Sequence, residues 1–192
     1  MFKIFRFERV ENTNNTAIDF IKNKKIPKGF IVSKTQTQGR GSRGKKWISL
    51  KGNLFLTIFF PINKSKPKFY EFTLINPVLI ISVIKKFYKK KNLFIKWPND
   101  ILIGKKKVCG ILQEMVKFKK KSYLIIGVGI NLNVNPSIKQ KETTSICFET
   151  KKKISYNKFL KCIRKTYTNF FLNLNTYSIS VYKKKSKVLS IN

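Results

Sequence analysis

Residues 96–112 constrain the fold of this chain more than any other part of the sequence. They place a polar cluster, Trp-Pro-Asn-Asp at 97–100, between two apolar runs that have the composition of β-strands. Pro98 lacks a backbone donor and biases Trp97 toward extended geometry, so the cluster cannot continue a helix. We therefore predict a turn between two strands, and its polar residues indicate an active-site segment.

The rest of the chain mixes strands and helices without a steady βαβ rhythm. Hydrophobic periodicity predicts strands at 2–9, 30–34, 53–60, 93–96, 101–103, 107–118 and 123–134, and helices at 14–24, 69–90 and 156–174. Pro77 predicts a kink in the second helix or its division into two segments. This order favours an α+β fold, with a mixed, largely antiparallel sheet flanked by helices.

The charge of the chain is extreme, with 42 Lys and Arg against 8 Asp and Glu and a formal net charge of +34. Such a balance makes nucleic acid and anionic membranes candidate partners. Only five of the basic residues are Arg, however, and the lysine clusters flank apolar runs instead of forming one stripe. A compositional bias of the genome toward Lys, Asn, Ile and Phe explains this pattern, so we expect no specific nucleic-acid partner.

Histidine is absent, which excludes Ser-His and Cys-His nucleophilic catalysis and a His-ligated zinc site. The cysteines Cys109, Cys147 and Cys162 are widely spaced, which favours reduced thiols in the cytoplasm over a disulfide framework.

The N-terminus lacks the apolar core of a signal peptide. The most apolar stretch, 72–84, is shorter than the roughly 20 residues that span a bilayer. We expect a cytoplasmic protein with no membrane partner.

The loop at 36–47 predicts an anion site. It has three glycines at 39, 41 and 44, which permit close backbone approach, and Arg40 and Arg43 supply fixed positive charge. A phosphate or an acyl phosphate needs both properties. By itself such a loop is equally consistent with a flexible surface segment, but Trp47 and the following buried strand favour a loop that closes over a ligand.

Two glycine-containing strands predict the remainder of a pocket. Lys107 precedes a strand in which Gly110 permits either a bulge or the close approach of a ligand. The segment Gly-Val-Gly-Ile-Asn-Leu-Asn at 127–133 combines small residues with Asn131, whose amide can orient a phosphate or a metal-bound water. A core strand weakened by glycine explains the same segment equally well.

These blocks, in this order and spacing, resemble the biotin–protein ligase family over about residues 8–135. The resemblance implies the catalytic fold of biotin and lipoate ligases, which is like that of class II aminoacyl-tRNA synthetases. It implies a catalytic domain over 1–175 and a short lysine-rich tail over 176–192, too short for the C-terminal β-barrel of many members. Because the chain starts directly with the catalytic strand, without a DNA-binding helix-turn-helix domain, we expect no repressor role.

The resemblance also implies a reaction in two steps. Biotin and MgATP give biotinyl-AMP and pyrophosphate, and a lysine of the biotin carboxyl carrier protein of acetyl-CoA carboxylase then attacks the adenylate. ATP and Mg²⁺ are thus the implied cofactors, biotin and the carrier protein the implied partners, and the protein is a monomer or a homodimer. The alternatives are a lipoate–protein ligase with the same adenylate chemistry and a basic nucleic-acid-binding module.

The same resemblance implies roles for individual residues. Lys107 and Arg40 are the implied catalytic groups, and Mg²⁺ is held by the ATP phosphates with Asp100 as a candidate ligand. The implied biotin-binding residues are Asn12, Thr13, Asn14, Gln36, Arg40, Gly41, Ser42, Lys107 and Gly110. The implied nucleotide-binding residues are Gly39, Arg43, Trp47, Lys96, Asn99, Asp100, Gly129 and Asn131. Asn12 departs from the family pattern by replacing the common serine, and Ser42 stands where some members carry a basic residue.

Overall fold

The computed structural model describes residues 2–62, 67–138 and 142–191. Its strands are β1 (Ile4–Val10), β2 (Gly29–Gln36), β3 (Leu54–Ile62), β4 (Leu93–Lys96), β5 (Asp100–Ile103), β6 (Lys106–Phe118) and β7 (Lys121–Ile130). Its helices are α1 (Thr13–Lys22), α2 (Phe72–Phe87), α3 (Ile146–Thr150), α4 (Tyr156–Leu172) and α5 (Ile179–Leu189). All the predicted strands and helices are present.

The strands form one sheet in the order β1-β2-β3-β7-β6-β5-β4. Among the described strands only β1 and β2 run parallel, because α1 crosses between them, and every other neighbouring pair is antiparallel. The mixed, largely antiparallel sheet predicted from the sequence is confirmed. The Trp-Pro-Asn-Asp cluster forms the predicted turn, between β4 and β5.

Helices cover both faces of the sheet, because side chains alternate between the faces along each strand. On one face, α1 buries Ala17 and Phe20 against a small apolar cluster that includes Phe59 and Ile125. On the other face, α2 and α4 pack over the main core. Some residues of β6 and β7 are on the same face as α1 but lie beyond the N-terminus of this helix, so α1 does not cover them. The candidate site lies there.

Helix α2 continues without a break through Pro77, so the predicted division at this residue is wrong. The break lies earlier, where a 3₁₀ turn at Phe69–Glu71 leads into the helix. The fully buried Asn76 beside the proline is paired on both sides. Its amide donates to Gln113 of β6 at 3.0 Å, and its carbonyl oxygen accepts from the Tyr167 hydroxyl of α4 at 3.1 Å. These bonds satisfy a polar group in the core and join the helices to the sheet.

The segment predicted as a tail contains α5, a helix that the sequence analysis missed. Its side chains Tyr182 and Leu189 pack against the main core, while its lysines face outward. Beyond the helix, the backbone of Ser190 and Ile191 pairs with Ile95 along the outer side of β4. The Ser190 hydroxyl also accepts a hydrogen bond from the Trp97 indole at 2.7 Å. The end of the chain thus holds the turn between β4 and β5.

The three cysteines are free thiols, as predicted, and only Cys109 is buried. Burial raises the pKa of the Cys109 thiol well above its ordinary value, which suppresses the reactive thiolate. We expect iodoacetamide at mildly alkaline pH to alkylate Cys147 and Cys162 long before Cys109, as peptide mass spectrometry would record. Alkylation of all three at one rate would contradict the buried position of Cys109.

The described residues contain no apolar helix of the length that a membrane crossing requires.

Candidate active site

The glycine- and arginine-containing loop folds back on itself as a tight hairpin. The Trp47 amide donates to the Gly39 carbonyl at 2.8 Å, and Arg40 and Lys46 form an isolated antiparallel bridge. Arg43, at the tip, has φ 56°, a left-handed conformation that few residues other than glycine adopt. The hairpin carries the Trp47 indole back onto the sheet.

The indole of Trp47 lies on two glycines that pair across β6 and β7. Gly110 is opposite Gly129, and a Cβ on either residue would lie 2.6 Å from an atom of the indole ring. Any side chain at these two positions would therefore displace the tryptophan. For Gly110 the sequence analysis left open a bulge or the close approach of a ligand; in this structure the Trp47 ring makes the close approach.

A β-bulge aims Lys107 into the site. On β6, Cys109 pairs with Ile101, whereas Lys107 pairs with Leu102, so Val108 is an extra residue. Val108 and Cys109 are both buried in the main core, although neighbouring strand residues normally face opposite sides. Lys107 consequently returns to the face of Gly110, where its Nζ would lie 3.2 Å from a Cβ on that glycine.

Lys107 has a carboxylate and an aromatic ring as neighbours. Its Nζ lies 2.6 Å from Asp100 Oδ1, and both side chains are about three-quarters buried, with exposed fractions of 28% and 26%. The same Nζ lies 5.2 Å from the centroid of the Trp47 ring, within the range of a cation–π contact. Partial burial limits screening by salt, so the charge of Lys107 acts strongly on a group bound beside it.

A first cavity lies between the N-terminus of α1, the hairpin loop and the glycines of β6 and β7. Every residue that the sequence analysis assigned to biotin lines it. These residues are Asn12, Thr13, Asn14, Gln36, Arg40, Gly41, Ser42, Lys107 and Gly110. Its open volume is about 40 Å³, little more than one water molecule needs, so Trp47 and the loop must move before a larger ligand enters.

Amide and hydroxyl groups form the polar wall of the first cavity. Gln36 Oε1 accepts from the Thr13 amide at 2.8 Å and from the Thr13 hydroxyl at 3.2 Å, and Gln36 Nε2 donates to Ser49 at 3.0 Å. The Asn12 side chain caps α1 by accepting from the Asn15 amide at 2.8 Å, as a serine at this position would. Asparagine in place of the common serine at position 12 therefore preserves the N-terminal cap of α1.

Asn14 lies deeper in the same wall and is held from two sides. Its Oδ1 accepts from the Thr57 hydroxyl at 2.5 Å, and its Nδ2 donates to Glu114 Oε2 at 2.6 Å. A Cβ on Gly127 would lie 2.5 Å from Asn14 Oδ1, so glycine at this position leaves the room that Asn14 occupies. The sequence analysis included Gly127 in a pocket segment without assigning it a contact, and it missed Glu114 and Thr57; all three lie against Asn14.

A second cavity, of about 410 Å³, adjoins the first, and the two share five lining residues, Gly41, Ser42, Trp47, Asn99 and Lys107. Most of the residues assigned to the nucleotide line it: Arg43, Trp47, Lys96, Asn99, Asp100 and Asn131. Among the described residues, its charged lining consists of five cations, Arg43, Lys45, Lys46, Lys96 and Lys107, and one carboxylate, that of Asp100. This balance favours a polyanion.

The other assigned residues are placed differently. Gly129 lines the first cavity, and Gly39 lines neither but accepts the hydrogen bond that closes the hairpin. Asn131 is almost fully buried and donates its amide to the Thr144 carbonyl at 3.0 Å, so part of its hydrogen-bonding capacity stabilises the chain. Ser42, the second departure from the family pattern, accepts a hydrogen bond from Asn99 at 3.2 Å and so joins the loop to the Trp-Pro-Asn-Asp turn.

The fold is that of the biotin protein ligases. The biotin protein ligase of Leishmania major, solved in complex with biotinyl-5-AMP, is similar with a TM-score of 0.85 and 24% identity over 98% of this chain and 81% of that one. The biotin protein ligase of Aquifex aeolicus, solved with biotin and ATP, has a TM-score of 0.82 and 23% identity over 98% and 78%.

The sequence places the chain in a family as well as in a fold. The model of the biotin/lipoate A/B protein ligase family matches residues 6–131, and the chain belongs to this family. The bifunctional ligase/repressor BirA of Bacillus subtilis is 36% identical over 135 residues, which are 67% of this chain and 40% of that protein. The chain thus spans about two fifths of the length of the bacterial relatives that it matches first.

Proposed function

We propose that this chain is an ATP-dependent biotin–protein ligase. The observation that supports this most strongly is the position of Lys107, at the junction of a cavity lined by amides and a cavity lined by cations. A ligase that joins an organic acid to a nucleotide needs one site for each and a cation where the carboxylate meets the phosphate. The two cavities and Lys107 have this arrangement.

In the first step, a carboxylate oxygen of biotin attacks the α-phosphorus of ATP, and pyrophosphate leaves. Both reactants are anions, so their repulsion must be reduced before they come within bonding distance. Lys107 lines both cavities, so it would contact both the carboxylate and the α-phosphate, and the cations of the second cavity would attract the phosphate chain. Moving Trp47 would open the cavity to biotin, and its indole N–H has no hydrogen-bond partner within the described residues.

Asp100 is suited to hold a magnesium ion that arrives with ATP. Mg²⁺ is commonly bound by one or two carboxylates together with substrate phosphates, and no dedicated cluster of three acidic or sulfur side chains is needed. The described residues contain no such cluster, and Asp100 is the one carboxylate among those that line the second cavity. Such an ion would neutralise phosphate charge when ATP is bound.

In the second step, a lysine amine of an acceptor protein attacks the carbonyl carbon of the adenylate, and AMP leaves. AMP is a good leaving group, so positioning of the amine is the main requirement. The acceptor we propose is the biotin carboxyl carrier protein of acetyl-CoA carboxylase. With 42 basic and 8 acidic residues, the chain would attract an acidic acceptor through its long-range field.

Substrate-dependent pyrophosphate exchange tests the proposal directly. We expect the protein to exchange radiolabelled pyrophosphate into ATP when biotin is present and to transfer label from biotin to the carrier domain. Exchange with lipoate in place of biotin would indicate the lipoate ligase alternative. Calorimetric titration with biotin, lipoate and a DNA duplex would complete the test, since tight binding of the duplex alone would overturn the proposal.

Residues 39–52 should become protected from amide hydrogen exchange when biotin and ATP bind together. In the structure most of this loop is exposed, and its hairpin is held by few backbone hydrogen bonds. Closure over two ligands would remove these amides from water. Deuterium uptake followed by mass spectrometry, with the strands of the main core as the internal control, measures the effect. Equal uptake with and without ligands would show that the loop is not a lid.

A further inference from the structure

Glu114 joins two parts of the first cavity that are far apart in sequence. One of its oxygens, Oε2, accepts from Asn14 Nδ2 at 2.6 Å and from Arg40 Nη2 at 2.8 Å. Asn14 belongs to α1 and Arg40 to the hairpin loop, whereas Glu114 is on β6, on the sheet face of Gly110. With an exposed fraction of 27%, this carboxylate is largely withdrawn from water, so bonds to it are stronger than at the surface.

The charge of Glu114 fixes which way the Asn14 amide faces. An ionised carboxylate can only accept hydrogen bonds, so the Asn14 NH₂ group must point toward Glu114. The Asn14 oxygen then points toward the Thr57 hydroxyl, which donates to it at 2.5 Å. One Asn14 N–H has no partner in the part of the chain that the structure describes, and it stays available to a ligand acceptor in the cavity.

Arg40 connects the same carboxylate to the loop. Its side chain is 42% exposed, and Glu114 is its ion-pair partner among the described residues. A loop that swings open must break this charge-assisted bond or carry Glu114 with it, and either event disturbs the bond between Glu114 and Asn14. The state of the loop and the orientation of Asn14 are therefore linked through one oxygen atom.

We propose that Glu114 is a positioning residue that couples closure of the 39–52 loop to recognition of the polar head of biotin by Asn14. This inference rests on the proposed function, because biotin is the ligand whose ureido oxygen would accept from the free Asn14 N–H. Glu114 contacts neither reacting group. It acts by holding the Asn14 amide in one orientation and the Arg40 guanidinium beside it on the sheet.

The variant Glu114→Gln tests the coupling with little change in shape. A neutral amide both donates and accepts, so Asn14 can adopt either orientation, and the ion pair to Arg40 is lost. We expect the Kd for biotin to rise on the order of 10- to 100-fold, the loss typical of a hydrogen bond to a charged group. The uptake of deuterium by the loop should increase as well. The matched control is Glu8→Gln, which removes the same charge from a surface pair with Lys34 at 2.7 Å.

A double-mutant cycle separates coupling from a general loss of stability. Asn14→Ala, Arg40→Ala and the double variant are titrated with biotin in the wild-type and Glu114→Gln backgrounds. In the wild-type background the two substitutions should be non-additive, because both act on the carboxylate of Glu114. In the Glu114→Gln background the shared carboxylate is gone, so their effects should add. Thermal unfolding of each variant shows that it is folded.

The outcomes distinguish the inference from the proposed function. Wild-type protein that does not bind biotin would overturn the proposed function. Wild-type protein that binds biotin, together with a Glu114→Gln variant of equal affinity, would overturn the coupling alone. Equal non-additivity of Asn14→Ala and Arg40→Ala in both backgrounds would also overturn it, because the coupling would then not pass through the carboxylate.

Discussion

Replacing Lys107 with alanine is expected to lower the rate of biotinyl-AMP formation by about 10²-fold or more while the protein stays folded. Removal of one preorganised group that stabilises developing charge typically costs this much. Lys107 lies at the junction of the two cavities, 2.6 Å from Asp100, and its side chain contributes little to the apolar core. Biotin-dependent pyrophosphate exchange measures the rate, and circular dichroism the fold.

Lys106 provides a matched control for this prediction. It is the preceding residue on β6, it carries the same charge, and it is exposed. Lys106→Ala should leave exchange within a factor of about two, because an exposed charge is screened by salt and solvent. Exchange at the wild-type rate in Lys107→Ala would remove this lysine from the proposed mechanism, and equal losses in both variants would indicate a general effect of charge.

Gly127→Ala is expected to weaken biotin binding by about 10- to 100-fold. The added methyl group would lie 2.5 Å from Asn14 Oδ1, and Asn14 cannot move away without breaking its bonds to Thr57 and Glu114. Overpacking at a rigid site costs about 1–3 kcal/mol, and displacement of Asn14 relieves that strain. Loss of the Asn14 hydrogen bond to biotin then lowers the affinity by about this range. Calorimetric titration with biotin gives the Kd.

The double variant Gly127→Ala with Asn14→Ala shows whether the clash is the cause. Truncating Asn14 removes the atom that the new methyl group meets, so the double variant should unfold at the same temperature as Asn14→Ala alone. Its affinity for biotin should stay low, since the amide is gone. If the double variant is less stable than either single variant, the methyl group meets something other than Asn14.

Much of the fold is predictable from the sequence, because it depends on local patterns. Apolar residues mark the strands, in alternation with charged residues in β1 and as a nearly continuous run in β3, and the polar cluster at 97–100 marks the turn between β4 and β5. Helix α5 was missed because its many lysines hide a regular spacing, in which Tyr182, Ser186 and Leu189 lie on one side. That spacing is a usable signal, but only contact with the rest of the protein makes it a stable helix.

The candidate site was predictable to a similar extent. The sequence analysis could not predict that Lys107 lies beside Gly110 or that Glu114 contacts Asn14, and both have physical reasons. Lys107 and Gly110 are three residues apart, so simple alternation places them on opposite faces of β6, and only the bulge at Val108 brings them together. Glu114 lies four residues after Gly110, and alternation does place it on the same face. Its partner Asn14 is 100 positions away along the chain, and no local pattern reports such a contact.

The pairing of Ser190 and Ile191 with Ile95 affects how copies of this protein can associate. Open sheet edges invite strands from other molecules, and a sheet with two open edges can grow without limit. Here the outer side of β4 already carries the end of the chain, whereas β1 has no further strand beside it within residues 2–62, 67–138 and 142–191. Edge-to-edge association through β4 would therefore have to displace Ser190 and Ile191 or continue the sheet from them, whereas pairing with β1 requires no such displacement.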